Sequence, residues 1–300
     1  MQLDAYRVLT PQLLDAVEDF LQDCEAQAGY RSFGDAEWRV RQLGHDSQAF
    51  CVIAQDDANE NILGYTWVEI EQRSANARVI CRAWGQYAHD DIEAALRQVT
   101  QVTAQTIDCN RLEWWTTQPD DRSSPLPQTL GLRTMFQLHC GLPLDATMRR
   151  LDDNLVMRSF VIGRDEDAWL DINRRAFADH PSQGTWSRPH FDAKLAEQWV
   201  DVDGIRIAES DGQITGFCWT KMHALAKVAT GEIFVIAVDP VIAGHGLGRQ
   251  LFLDGAEYLS QQGAQRLILF VESNNAQALA LYRSLGLATL SIETCLVIDL

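Results

Sequence analysis

No apolar run in this chain approaches the roughly 18 residues of a membrane-spanning helix. Its start, Met1-Gln2-Leu3-Asp4-Ala5, carries neither the basic nor the apolar stretch of a secretory leader. None of the seven cysteines (24, 51, 81, 109, 140, 218, 295) belongs to a C-x-x-C pair, and no H-E-x-x-H occurs. Those absences argue against a disulfide frame and a zinc site, and buried reduced thiols are expected instead. Basic residues are scarce, 25 against 42 acidic ones, for a net charge of −17. Such a field repels a phosphate backbone, which argues against nucleic acid and favours a cationic small molecule such as an amine. A cytoplasmic protein without a metal is expected.

What is present is an ordinary globular composition, 46% hydrophobic and 22% charged. At 300 residues the chain suits two domains better than one. The halves can be superposed as a repeat. Leu130-Gly131-Leu132 matches Leu285-Gly286-Leu287 at an offset of 286 − 131 = 155, and Arg111-Leu112 matches Arg266-Leu267 at the same offset. Cys140 and Cys295 keep it too, while Gly64-Tyr65-Thr66-Trp67 resembles Gly216-Phe217-Cys218-Trp219. The expected boundary lies near Asp152-Asp153-Asn154, giving domains 1–152 and 153–300. In the second half, residues 205–209 and 214–221 read as a hairpin about Ser210-Asp211-Gly212. Residues 232–238 form a β-branched strand ended by Asp239-Pro240, and helices are expected from Leu247 and over 276–285. Gly286 stands where a helix C-cap belongs, and residues 287–298 close the half as a strand.

Between the strand and the first of those helices stands Ala243-Gly244-His245-Gly246-Leu247-Gly248-Arg249. Glycines permit close backbone approach and positive φ, and the amides of a helix start point at an anion. A diphosphate suits that local geometry even in an acidic protein. The spacing is neither the dinucleotide G-x-G-x-x-G nor a P-loop.

Strand, Val-Asp-Pro, x-G-H-G-L-G-R and then Asn275-x6-Tyr282-x3-Gly286-Leu287 resembles the GNAT acetyltransferase superfamily. The resemblance implies α/β (α+β) architecture: two tandem domains, each a mixed, largely antiparallel sheet flanked by helices. It further implies acetyl-CoA as co-substrate, its pyrophosphate held by Ala243, Gly244, His245, Gly246, Leu247, Gly248 and Arg249. The main chain of Ile236, Ala237 and Val238 would run along the thioester, with an oxyanion donor near Val238, and Asn275 would either contact CoA or cap a helix. At the 155 offset Gly244, Gly246 and Gly248 fall opposite His89, Asp91 and Glu93, so the first half is expected to bind CoA poorly and to serve as scaffold and substrate wall.

Acetylating an amine requires a base, an oxyanion donor and a proton for the departing thiolate. Period two would put Glu232 on one face with Phe234, Ile236 and Val238, which makes it the candidate base. Its counterpart at the offset is Ala77. Tyr282, the candidate acid, falls opposite Pro127. Two such halves, the segment 176–184 and the run Gly216–His223 resemble the mycothiol synthase family. That resemblance implies an acceptor, cysteinyl-glucosaminyl-inositol, acetylated on its cysteinyl amine, with Lys221, Glu232 and Glu37 contacting it. Ser182 stands where the family carries an acid and Phe270 where it carries a tyrosine. Other readings of the motifs are an acetyltransferase for another small amine or a peptide N-terminus, and a non-catalytic CoA-binding scaffold. Tryptophans 114, 115, 186 and 199 are expected in the core or a wall.

Overall fold

The computed structural model describes residues 1–28, 49–71, 73–119, 133–145, 155–178, 183–223, 228–242 and 246–300. Two compact units emerge: Met1–Phe136 with Thr289–Leu300, and Gln137–Ala288. No helix among the described residues is long and apolar enough to cross a membrane.

The first unit contains β1 (Gln2–Tyr6), α1 (Pro11–Ala28), β2 (Ala49–Gln55), β3 (Ile62–Glu71), β4 (Ser74–Cys81), α2 (His89–Thr106) and β5 (Arg111–Pro119). Alternation sorts its core onto two faces, as strand geometry demands. Cys51 and Ile53 meet Val17, Phe20 and Leu21 of α1, while Phe50, Val52 and Ala54 meet Ile92 and Leu96 of α2. The sheet runs β1-β2-β3-β4-β5-β12, where β12 is Ala288–Asp299, antiparallel except where β4 lies parallel to β5.

The second unit contains β6 (Arg133–Gly141, its part from Gln137 onward), β7 (Leu155–Ser159), α3 (Glu166–Ala176), α4 (Arg188–Leu195), β8 (Ile205–Ser210), β9 (Gln213–His223), β10 (Thr230–Val238), α5 (Leu247–Gln261), β11 (Arg266–Glu272) and α6 (Ala276–Ser284). Its sheet order is β6-β11-β10-β9-β8-β7, with β10 and β11 parallel. The expected hairpin is β8–β9, and Asp211 and Gly212 have φ of 51° and 76°, the left-handed pair that a two-residue turn requires. Helix α5 buries Leu251, Phe252 and Leu259. Gly255 brings it close to the sheet, since a Cβ there would stand 2.6 Å from the Cys218 sulfur. Arg206 Nε donates to the buried Asp254 at 2.6 Å, tying α5 to β8. All seven cysteines are free, and all but Cys81 are buried, as expected.

One expectation changes. The closing strand β12 (Ala288–Asp299) pairs with β5 of the first unit, Asp299 opposite Arg111 and Ser291 opposite Pro119, instead of closing the second half. Its repeat counterpart, β6, starts 288 − 133 = 155 residues earlier and supplies the second unit's sheet. The last strand of each repeat is thus exchanged, so the chain does not divide at one point such as 152/153. The physical reason lies in β12 itself: Leu296 and Ile298 pack on the cluster around Leu112 and Trp114, and Glu293 meets Arg78 at 2.8 Å. Residues 146–154, where a linker was expected, lie outside the described residues.

Candidate functional site

The site begins with a strand that stops pairing. Parallel pairing between β10 and β11 runs from Thr230–Arg266 to Ile233–Leu269 and ends, although the strands continue to Val238 and Glu272. At the same point β10 is irregular against β9: Ile233 faces Thr220 and Val235 faces Trp219, leaving Phe234 as an extra residue. A bulge of this kind bends its strand and frees part of its ladder. Beyond it, Asp239 N donates to Thr215 O at 2.9 Å. Antiparallel alternation then turns the amides of Ile236 and Val238 away from β9, into the gap beside β11, and that of Ala237 toward β9.

The bulge also corrects the expected face of Glu232. Ile233, Ile236 and Val238 lie opposite Thr220, Cys218 and Gly216, the residues that approach Gly255 and Leu251 of α5. Val235 and Ala237 join Trp169, Ile172 and Phe191 on the α3/α4 side. Glu232 stands opposite Lys221, a residue before Ile233, and shares that second side with Phe234, not with Ile236 and Val238. One inserted residue reverses the parity of everything after it.

On this second side several polar groups are buried together. Glu232, Lys221 and His223 are 5%, 5% and 6% exposed. His223 Nε2 lies 2.8 Å from Glu232 Oε2. The Lys221 ammonium sits 4.3 Å from the Trp199 ring centroid and 5.9 Å from that of Phe234, within reach of cation–π attraction. Trp199 therefore stands against a buried cation as well as packing on the aromatic core of Trp169, Phe217 and Trp219. Sequence reasoning missed His223. The available signal was its place two residues after Lys221 in a strand, hence on the same face.

Past Val238 the chain reaches the start of α5. Arg175 of α3 donates to Asp239 at 2.7 Å, and Asp239 accepts from the Val241 amide at 3.1 Å, which pins the turn. Gly246 is the N-cap residue with φ 82°, a conformation glycine adopts without strain, and no side chain caps the helix. Helical bonding begins with Arg249 N and Gln250 N on Gly246 O at 3.0 and 3.2 Å, so the amides of Leu247 and Gly248 precede it. The first turn contains no acidic residue. Ala243, Gly244 and His245 lie outside the described residues, as do Glu37 and Ser182. Arg249 is bonded to Ser284 of α6 at 3.1 Å.

From α6, Leu281 faces Gly248, its Cδ2 3.7 Å from where a Cβ would stand. Tyr282 is 6% exposed, with its ring 5.7 Å from Phe252. Burial pushes its phenol well above the ordinary range, so it stays protonated at neutral pH. Asn275 is the N-cap of α6, accepting from Ala278 N at 3.1 Å, which realises the helix-cap alternative. Phe270 lies half-buried on β11 immediately past the last β10–β11 pair.

The first unit retains the frame without these features. Its β4–β5 ladder likewise stops early, at Arg78–Trp115, but β3–β4 pairing is regular, with no bulge. Ladder position assigns Asn76, not Ala77, as the counterpart of Glu232: Ser74 pairs with Arg111 as Thr230 pairs with Arg266. Helix α2 starts after Ala88 at φ −76° and carries Asp90 and Asp91 in its first turn. Arg78 of β4 is bonded to Glu293 and lies 4.9 Å from the Trp115 ring centroid.

Residues 167–287 match the Acetyltransferase (GNAT) family. The mycothiol acetyltransferase of Salinispora tropica is 41% identical over 95% of this chain and 94% of its own length. That of Acidimicrobium ferrooxidans is 32% identical over 92% and 90%. In fold, the chain resembles a GCN5-related N-acetyltransferase from Sphaerobacter thermophilus, with a TM-score of 0.72, 18% identity and coverage of 99% and 95%. It also resembles a tandem GNAT protein of the clavulanic acid pathway, with a TM-score of 0.69, 15% identity and coverage of 99% and 98%.

Proposed function

The chain belongs to the mycothiol acetyltransferase family of GNAT N-acetyltransferases, and from that premise we propose that it transfers acetyl from acetyl-CoA to the cysteinyl amine of cysteinyl-glucosaminyl-inositol. The observation that carries this reading is the junction of a bulged, half-unpaired β10 with a helix whose first amides follow a left-handed glycine. A diphosphate fits the amides of Leu247 and Gly248, where the helix dipole adds attraction and the first turn carries no acidic residue. The pantetheine and thioester then lie in the gap beside Phe234 to Val238. There the outward amides of Ile236 and Val238 are the donors for the acyl oxygen as negative charge develops on it.

Glu232 takes the proton of the acceptor amine, directly or through water, and Lys221 supports the charge beside it. The amine attacks the acyl carbon, the carbon–sulfur bond breaks, and Tyr282 donates to the departing sulfur. Burial keeps that phenol protonated before the step, and after it the phenolate recovers a proton from solvent. The first unit serves as a scaffold.

The test is acceptor selection. With acetyl-CoA held constant, CoA formation is followed by chromatography for cysteinyl-glucosaminyl-inositol, simple amines and peptide N-termini. The sugar-linked acceptor should lead in kcat/KM by on the order of a hundredfold or more, the discrimination a polar site achieves. Equal turnover of a simple amine would assign a different acceptor.

A further inference from the structure

The buried histidine beside the candidate base has no part in the steps above, yet its position ties it to that base. Residues 221 and 223 project from one side of β9, and residues 230 and 232 from the facing side of β10. Thr230 lies opposite His223 and Glu232 opposite Lys221, which makes His223 the diagonal neighbour of the carboxylate. Their side chains are nearly closed to solvent, at 1% and 7%, with 2.8 Å between Nε2 and Oε2. When the carboxylate is ionised it only accepts hydrogen bonds, and the proton in this contact is then the imidazole's. Burying that carboxylate without a donor would be costly.

We propose that His223 is a positioning residue for the acetyl transfer: donation from Nε2 fixes the side chain of Glu232 and holds it ionised for the acceptor amine. The inference rests on Glu232 being the base. Among the described residues of the neighbouring strands, the charged positions beside the pair are Lys221 on β9 and, on β11, Arg266 opposite Thr230; Ile268 stands opposite Glu232. At the equivalent ladder positions the first unit carries Glu69 and Glu71 on β3 and Asn76 on β4, with no imidazole among them. The histidine therefore accompanies the carboxylate it holds.

The experiment compares His223→Gln with His223→Asn in the full-length protein. A glutamine amide reaches the place of Nε2, whereas an asparagine amide stops near Nδ1, one bond short. His223→Asn should lower kcat on the order of ten- to a hundredfold, the effect of losing one hydrogen bond to a charged group, with KM for acetyl-CoA unchanged. It should also raise the acidic limb of kcat/KM for the acceptor by about one pH unit, because the carboxylate loses a donor that favours its charged form. His223→Gln should return both toward wild type. Equal losses in the two variants, or a fall in kcat with the acidic limb unmoved, would overturn the inference. Melting temperatures close to wild type in both exclude unfolding as the cause. Glu232→Gln is the separate control. If it turns over normally, the reading of Glu232 fails. If it is inactive while both histidine variants match wild type, only the role of His223 fails.

Discussion

Strands β4 and β10 carry equivalent ladders for their first four residues and part company by one residue. Ser74–Ala77 and Thr230–Ile233 occupy matching positions against β5 and β11. Then β4 proceeds regularly to Arg78, opposite Trp67, while β10 inserts Phe234 before Val235, opposite Trp219. The first unit lacks the features proposed for chemistry and keeps the same fold. It keeps two packed faces, a parallel ladder that ends early and a helix after β4. What differs is local: no bulge between β3 and β4, no left-handed glycine at the helix N-cap, two acids at the helix start, and an arginine–glutamate pair in the sheet. On the proposed reading, binding and catalysis rest on few residues set upon a frame that the first unit builds without them.

The comparison breaks most severely if the bulge is removed. Deleting Phe234 gives β10 the regular alternation of β4, so each core residue after it keeps its side. The protein should still fold, with cooperative thermal unfolding, while kcat/KM falls on the order of a thousandfold as the strand closes on the thioester gap. Activity near wild type would remove the bulge from the mechanism.

A smaller change carries the first unit's charge into the second. Gly248→Asp mimics Asp90, the second residue of α2, and the space is open, the nearest atoms to a Cβ being 3.7 Å away. A carboxylate among those amides should weaken acetyl-CoA binding on the order of tenfold or more. Calorimetry on the whole chain should give one site per molecule in the wild type and a weakened single site in the variant. A second, unaffected site would mean that the first unit binds CoA after all. The whole chain is the proper sample because each unit takes its last strand from the other repeat.

The smallest effect is expected at Tyr282. Phenylalanine there should reduce kcat on the order of tenfold and leave acetyl-CoA affinity alone. Burial raises the phenol above its ordinary pKa, so its protonated form is complete throughout the working range and would be lost only as pH rises past that raised value. The alkaline limb of the wild-type profile should accordingly persist, unshifted, in Tyr282→Phe.

Much of this was legible in the chain because it depends on neighbours in sequence. The hairpin at Asp211-Gly212, the end of β10 at Asp239-Pro240, the start of α5 after Gly246 and the φ of 85° at Gly286 all follow from turn and cap chemistry. The 155-residue spacing likewise announced the repeat. The partners of side chains were not legible. Alternation counted along 232–238 put Glu232 with Ile236 and Val238, because a bulge shows itself only against the partner strand. The same blindness matched Glu232 with Ala77 in place of Asn76, and left His223 an ordinary residue in a strand.

The sequence by itself determined two similar units, their order of elements, and a helix that starts after a glycine. These follow from backbone preferences and from the periodicity of apolar residues, which act within a few positions. Tertiary structure alone decided which sheet received β12, on which side Glu232 emerged, and that an imidazole met it there. Those outcomes depend on pairing register and on the burial of charge, both of which join residues far apart in the chain.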